Sequence, residues 1–286
     1  MTVLVIGDAL LDVRVAPRES IRPGSDVPAQ IALGPGGQGA NVAVRLARQG
    51  VPVELIAALG PDPGGTILRD ALRAEDIRLH AVPVESTGAV VVLGDAGGER
   101  TMLSQRPAFA HLVAPALLTG ASWVVVSGYL LHEPEAAGLA EALAQGTDLR
   151  VLLGCAVPDA LVDPWRSAAT ALRPELTVLN RDEVRRLASA RSGGVAVTDA
   201  GGATVSIAGV TVESRTAAAA PARDTTGAGD AFAAGLVAGL QDAPWPPERE
   251  RMQDAVEAAV ALAGRVARVA GAQTRVAGER AARLPR

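Results

Sequence analysis

The sequence predicts an α/β fold in which a central, mostly parallel β-sheet carries helices on both faces, with a small β lid beside it. Three observations lead there. Short β-branched runs alternate along the chain with Ala/Leu/Arg segments of helical period, the pattern of successive βαβ units. Several strand runs are apolar at consecutive positions, which requires both faces of the sheet to be covered. Residues 13–33 and 87–104 break the alternation and read as strands added outside the βαβ order.

Along the chain, Val3–Ile6 is the first strand. The polar, Arg- and Pro-rich stretch 13–33 follows and ends in Ala29-Gln30-Ile31-Ala32-Leu33. A helix is expected over 41–48, with arginine in its last turn and Gly50 behind it, and then a strand over 53–57. A second helix, 66–74, follows the Gly64-Gly65 pair. Residues 87–104 read as a hairpin whose arms, 88–93 and 100–104, flank the turn-rich segment 94–99. Residues 112–131 are uncharged, but Pro115, Gly120 and Gly128 interrupt them, so a short helix and the strand Trp123–Val126 explain them better than a membrane span. Pro134 and neighbouring acids suit the start of a helix over 133–144. Strands are expected over 150–153, 176–179, 195–198 and 204–207, and the stretch 233–240 has helical spacing. The chain reads as a single domain, 1–286, with lid segments 13–33 and 87–104 and a polar segment 272–286 expected to fray.

Composition narrows the chemistry. With 49% hydrophobic and 20% charged residues in 286, intrinsic disorder is excluded. All 27 basic residues are arginine, so Schiff-base chemistry, the Walker A lysine and the strand lysine of protein kinases are unavailable. Any phosphate must be held by arginine, backbone amides or metal. A net charge of −4 argues against nucleic-acid and anionic-membrane partners, and 2% aromatics argue against stacking platforms for single strands. The lone Cys155 lies in an apolar run, which indicates a buried structural thiol and a cytoplasmic setting. No signal peptide is read in the opening residues. His80, His111 and His132 lack ligand spacing for zinc. Trp123, Trp165 and Phe232 read as core, and 181–191 as a solvated helix face.

The strongest local signal is Asp224-Thr225-Thr226-Gly227-Ala228-Gly229-Asp230-Ala231-Phe232 ahead of a helical stretch. Small residues at a helix start can aim several backbone N–H groups at one anion, helped by the helix dipole. A carboxylate beside such a site is a candidate general base for a hydroxyl attacking a phosphoryl group, which singles out Asp230. An ordinary acid at the start of a helix is the alternative.

This run and Gly36-Gly37-Gln38-Gly39-Ala40-Asn41-Val42-Ala43 resemble, in order and separation, the two signatures of the ribokinase-like (PfkB) family of small-molecule kinases. Further similar segments are Gly7 to Asp12, Gly60-Pro61-Asp62-Pro63-Gly64-Gly65, Gly97-Gly98-Glu99-Arg100-Thr101, Asn180-Arg181-Asp182-Glu183, Thr198-Asp199-Ala200-Gly201-Gly202 and Ala270-Gly271-Ala272. The resemblance implies a ribokinase-like three-layer αβα sandwich whose β lid closes over a sugar while ATP phosphorylates one of its hydroxyls. It implies Asp230 as catalytic base and the amides of Gly227, Ala228 and Gly229 as the anion hole. Asn180, Thr198, Gly201, Gly202, Thr226 and Gly229 would contact ATP. Glu183 would organise Mg²⁺ through water, although Asn180 and Glu183 also have the spacing of a capping box. Asp12, Gly36, Gly37 and Asn41 would hold the sugar, with a loop cap for Asp12 and a helix N-cap for Asn41 as alternatives. Asp224 and Thr226 match cation-loop positions, which leaves K⁺ activation open.

The chain departs from the family pattern where substrate is chosen. Gln38 stands where ribokinases usually carry Lys, Leu10 where they have Asn, Arg106-Pro107-Ala108-Phe109 in place of a frequent Gly-Ala-Asn, and Arg275 near a usual Ser. These changes weaken ribose as acceptor and leave a ketohexose, a sugar acid or a nucleoside. Three further readings remain: a nucleoside kinase of the same family, a catalytically silent sugar or nucleotide sensor, and an NAD(P)-dependent dehydrogenase. The last would rest on Gly34-Pro35-Gly36-Gly37-Gln38-Gly39, which satisfies G-x-G-x-x-G but lies far beyond the first strand. An open lid sheet also has an edge with which a second copy can pair.

Overall fold

The computed structural model describes residues 1–94, 100–118, 121, 123–146, 149–187, 193–216 and 224–280. In chain order the elements are β1 (Val3–Ile6), β2 (Leu10–Pro17), β3 (Ala29–Gly36), α1 (Gln38–Arg48), β4 (Val53–Leu59), α2 (Pro63–Ala74), β5 (Arg78–Pro83), β6 (Ala89–Gly94), β7 (Arg100–Gln105) and β8 (Trp123–Val126). There follow α3 (Ala136–Gly146), β9 (Leu149–Leu153), α4 (Val162–Leu172), β10 (Leu176–Asn180), α5 (Arg181–Leu187), β11 (Gly194–Asp199), β12 (Gly202–Ile207), β13 (Val210–Arg215), α6 (Ala228–Leu240) and α7 (Arg249–Val266).

Nine strands form one sheet in the order β13-β12-β11-β10-β9-β8-β1-β4-β5, parallel from β11 to β5 and antiparallel at β11–β12 and β12–β13. The strand period of two sorts its side chains between two cores. Val3 and Val5 of β1 join α1, α2, α6 and α7 through residues such as Leu46, Leu68, Phe232 and Val256. Leu4 and Ile6 face the other way, onto Leu143 of α3, Trp165 of α4 and Leu187 of α5. This is the expected αβα layering, and Trp123, Trp165 and Phe232 are core residues. No helix among the described residues is long and apolar enough to cross a membrane.

The expected lid is a separate four-stranded sheet, β3-β2-β6-β7. Its strands reach further than 13–33 because β2 is paired on both sides, antiparallel to β3 and parallel to β6. Asp12 pairs with Gly34 and Val90, and Gly36 with Leu10, so both lie within strands and Asp12 is not a loop cap. The expected turn Gly97-Gly98-Glu99 lies outside the described residues. Helix α3 starts three residues later than expected. Residues Gly128–His132 form a 3₁₀ turn, and the Glu133 carboxylate accepts from the amides of Phe109 and Ala110 at 2.9 and 2.6 Å instead of opening the helix.

Candidate active site

Strands β1, β8, β9, β10 and β11 all end at one edge of the sheet, where a ligand crevice of an open parallel sheet belongs. A cleft of about 170 Å³ there is lined by Gln38, Gly154, Asn180, Glu183, Thr198, Gly229 and Asp230. A larger one of about 560 Å³ lies under the lid, between Asp12 and Arg14 on one side and Asp224, Thr225, Thr226 and Gly271 on the other.

Helix α6 begins at Gly227, whose φ of 77° is left-handed and whose added Cβ would lie 2.6 Å from Ala272 Cβ. Glycine is required here on both counts. Gly229 is different, since an added Cβ would meet nothing within 4 Å, so the helix start is open on that side. The Ala228 amide donates to the Thr225 carbonyl at 3.2 Å. Among the described residues no group accepts from the amides of Gly227, Gly229 or Asp230. The free donors at the helix start are thus Gly227, Gly229 and Asp230, with Asp230 in place of the expected Ala228.

Asp230 is half-buried, and desolvation pushes its carboxyl up to about 7, against the opposing donation of Asn41. Asn41 Nδ2 donates to Asp230 Oδ2 at 2.8 Å, and Gln273 Nε2 donates to Asn41 Oδ1 at 3.0 Å. Asn41 is therefore not an N-cap. It lies in the first turn of α1, whose cap is Gly37 with φ of 94°.

Asn180 and Glu183 make both bonds of a capping box. Asn180 Oδ1 accepts from the Glu183 amide and Glu183 Oε2 from the Asn180 amide, each at 2.9 Å. Burial raises the Glu183 carboxyl above the usual carboxylate range. Thr198, one residue before the end of β11, lines the same cleft. Gly201 and Gly202 do not line it. They form the tight β11–β12 turn, closed by the Gly201 amide donating to Asp199 Oδ1 at 2.8 Å. The Gly201 carbonyl accepts from Thr216, which lines a groove of about 670 Å³ between β13 and α7.

On the lid side, Asp12 is 8% exposed and desolvation raises its carboxyl to about 6. Gly36 lies against the Asp12 carboxylate, and an added Cβ at Gly37 would come within 2.6 Å of the Asp8 carbonyl oxygen. Asp224 turns one oxygen to the Thr226 amide and the other to the Gly271 amide, both at 2.9 Å. Asp224 and Thr226 border the larger cleft while Gly229 and Asp230 border the smaller, so the loop and helix start separate the two.

Other residues of the site carried no role in the sequence reading. Gln38, noted there only as a departure, accepts from Ser127 Oγ and the Gly128 amide at 2.7 and 3.1 Å and donates to the Gly154 carbonyl at 2.8 Å. It thereby ties α1 to the ends of β8 and β9. Gln273 comes from the segment expected to fray, of which 281–286 lies outside the described residues. Residues 272–280 are instead held by ion pairs that link them to α1 and to Glu75, of which Arg45–Glu279 is fully buried. Arg45 Nη1 meets Glu279 Oε1 at 2.6 Å, Arg48 Nη2 meets Glu75 Oε1 at 2.7 Å, and Arg275 Nη2 meets Glu75 Oε2 at 2.7 Å. Cys155 is buried, and burial pushes its thiol far above the ordinary range, so it is no nucleophile. Gly34 and Gly36 of the G-x-G-x-x-G run lie within the lid strand β3, not in the turn after β1, which removes the dinucleotide fingerprint.

The family described as pfkB family carbohydrate kinase matches residues 2–277. A ribokinase of Haemophilus influenzae is 28% identical over 260 residues, covering 84% of this chain and 85% of its own. An uncharacterized sugar kinase of Pyrococcus horikoshii in complex with ATP superposes with a TM-score of 0.79 at 22% identity, over 95% of this chain and 94% of that one. An adenosine kinase of Sinorhizobium meliloti superposes with a TM-score of 0.78 at 20% identity, over 96% of each chain. With the family signature spanning nearly its whole length, the chain belongs to the pfkB family of carbohydrate kinases and is an ATP-dependent phosphotransferase.

Proposed function

We propose that the protein transfers the γ-phosphoryl group of ATP to a primary hydroxyl of a sugar or sugar-like acceptor in the cytoplasm. The observation that carries this is the desolvated carboxylate of Asp230 beside unpaired amides at the start of α6. In this reading the acceptor lies in the cleft under the lid, held by Asp12 with the backbone of Gly36 and Gly37. Asp230 takes the proton of the attacking hydroxyl. The amides of Gly227 and Gly229 accept the charge that develops on the transferring group, with Ala228 joining if its turn bond opens. Asn41, fixed by Gln273, aligns the carboxylate. The nucleotide runs from the helix start past Asn180, Thr198 and Thr226 towards Gly201 and Gly202. Its adenosine end would occupy the groove between β13 and α7. Closure of β2, β3, β6 and β7 would exclude water as a competing acceptor.

Mg²⁺ fits this site. Glu183 is a half-buried carboxylate with no ion pair among the described residues, and such an oxygen donor suits a hard cation. No group of three or more His, Cys, Asp or Glu among the described residues could hold a metal, so it would be held largely by phosphate and water, with Glu183 outside them. When bound, Mg²⁺ neutralises charge on the β- and γ-phosphates. Glu183→Gln keeps the capping bond and should raise the Mg²⁺ concentration for half-maximal rate about tenfold or more, as loss of an outer-shell partner does. A Mg²⁺ titration of initial rate reads this. K⁺ at the Asp224 loop is tested by comparing KCl with tetramethylammonium chloride.

Direct evidence would come from ADP release with Mg–ATP over sugars, sugar acids and nucleosides. Turnover of nucleosides alone would make it a nucleoside kinase, and ligand binding without turnover a sensor. Because Asp230 must lose its proton, kcat/KM should rise with pH and level off above about 7. Asn41→Ala removes a donor that favours the ionised form, so the limb should move to higher pH.

The lid's outer face supports a homodimer. Leu33, Val13, Val91 and Leu103 lie in one cross-strand row, and Ile31 and Leu33 are 63% and 58% exposed. Leu33→Asp with Leu103→Asp should yield monomers by light scattering.

A further inference from the structure

We infer that the acceptor carries an anionic group, a carboxylate or a phosphate, and that Arg14 on the lid binds it. The inference rests on the kinase reading above and narrows its substrate class.

The lid register puts Arg14 in the cleft. Asp12 pairs with Gly34 and Val90, and Arg14 with Ala32 and Val92. Residues 12, 14, 16, 30, 32 and 92 therefore share one face of the sheet. That face lines the 560 Å³ cleft opposite Asp224, Thr225, Thr226 and Gly271. The Arg14 guanidinium lies against Gly271, where a side chain would displace it.

The Arg14 side chain makes no hydrogen bond or ion pair among the described residues, and its Nε is buried without a hydrogen-bond partner. The neighbouring arginines are engaged. Arg106 bonds Ser104 Oγ at 2.6 Å, meets Asp8 at 3.4 Å and stacks over Tyr129 at 3.8 Å, while Arg45, Arg48 and Arg275 sit in the ion pairs described above. Asp224 lies nearby but has turned both oxygens to backbone amides. The guanidinium acts on the Asp12 carboxyl through its charge, yet it keeps a desolvated edge and makes no hydrogen bond among the described residues, so in this cleft it offers a planar fork that fits a carboxylate or phosphate. It stands two residues beyond Asp12, roughly 6.6 Å along the strand. The anionic group therefore belongs at the lid end of the acceptor, away from Asp230.

The test uses the full-length protein with Mg–ATP. Acceptors are D-gluconate, 2-keto-D-gluconate and D-fructose 6-phosphate, each against the neutral parent D-glucose or D-fructose, with ADP release and thermal shift as readouts. The acids or the phosphate should exceed their parents, and the two anionic arms tell carboxylate from phosphate. Arg14→Gln should raise KM for the preferred anion about 10–100-fold, the worth of a charge-assisted bond, with kcat and the neutral parents changed less than about threefold. Arg14→Lys should restore part of the loss. Neutral sugars turned over as well as the anions, with selectivity unchanged in Arg14→Gln, overturn the proposal and leave the kinase reading intact. Should none of these acceptors turn over while a nucleoside does, the sugar reading falls. The thermal shift then decides alone: anion-induced stabilisation of the parent protein but not of Arg14→Gln supports the proposal, and its absence overturns it.

Discussion

Asp230→Asn is expected to lower kcat by about 10²–10⁴-fold, the usual contribution of a positioned general base. The substitution keeps the shape of the side chain and an oxygen that Asn41 can donate to, so ATP binding should persist. A stability measurement guards against mistaking misfolding for lost chemistry. The Asp230 carboxyl is raised from 3.8 to about 7, so between these values the folded state binds more protons than the unfolded one. Stability from this group is therefore present at low pH and is lost as pH rises towards about 7. Asparagine has no such penalty, and the variant should melt above the parent protein at pH 8. Turnover within tenfold of the parent would remove Asp230 from the reaction.

Glu279→Ala should cost about 3–5 kcal/mol of folding stability, because it leaves a buried guanidinium without its partner. Arg45 and Glu279 side chains are 1% and 2% exposed. Arg45 also donates to the Thr274 carbonyl at 3.0 Å and Arg48 to the Gln273 carbonyl at 2.8 Å, so the loss would loosen the segment that carries Gln273. Urea unfolding measures the first effect, and kcat should fall with the second through the misaligned Asn41–Asp230 pair. Replacing both partners together, Arg45→Met with Glu279→Met, should recover much of the stability, since apolar groups do not require a counter-charge. A loss below about 1 kcal/mol for Glu279→Ala would place the pair among weak surface contacts.

Much of the fold was legible because central parallel strands, buried on both faces, appear in the sequence as unbroken apolar runs such as Val3–Ile6 and Trp123–Val126. The strands that the sequence reading passed over, β5 and β13, are the two edges of the sheet. There one side faces solvent, and Arg78, Glu213 and Arg215 dilute the apolar signal. Helices α4 and α7 went unassigned as well. Of the site, the Gly227–Asp230 region was readable because its chemistry is contiguous in sequence. Asn41 and Asp12 were named from the family resemblance, yet their positions within α1 and β2 follow from pairing that no short window contains. Gln273 and Glu279 were out of reach. Gln273 meets Asn41 across 232 residues, Glu279 meets Arg45 across 234, and their polar neighbourhood resembles a loose tail.

The buried clasp on α1 also orders events during synthesis. A nascent chain on the ribosome has already exposed β1 to β13 and α6 before residue 273 is added, so the layers can condense while Asn41 still lacks the amide that fixes it. Competence for phosphoryl transfer would then arrive as a late step, after Glu279 emerges and docks onto Arg45. Messages that stop translation between α7 and that glutamate should yield compact products that hold nucleotide but turn over poorly.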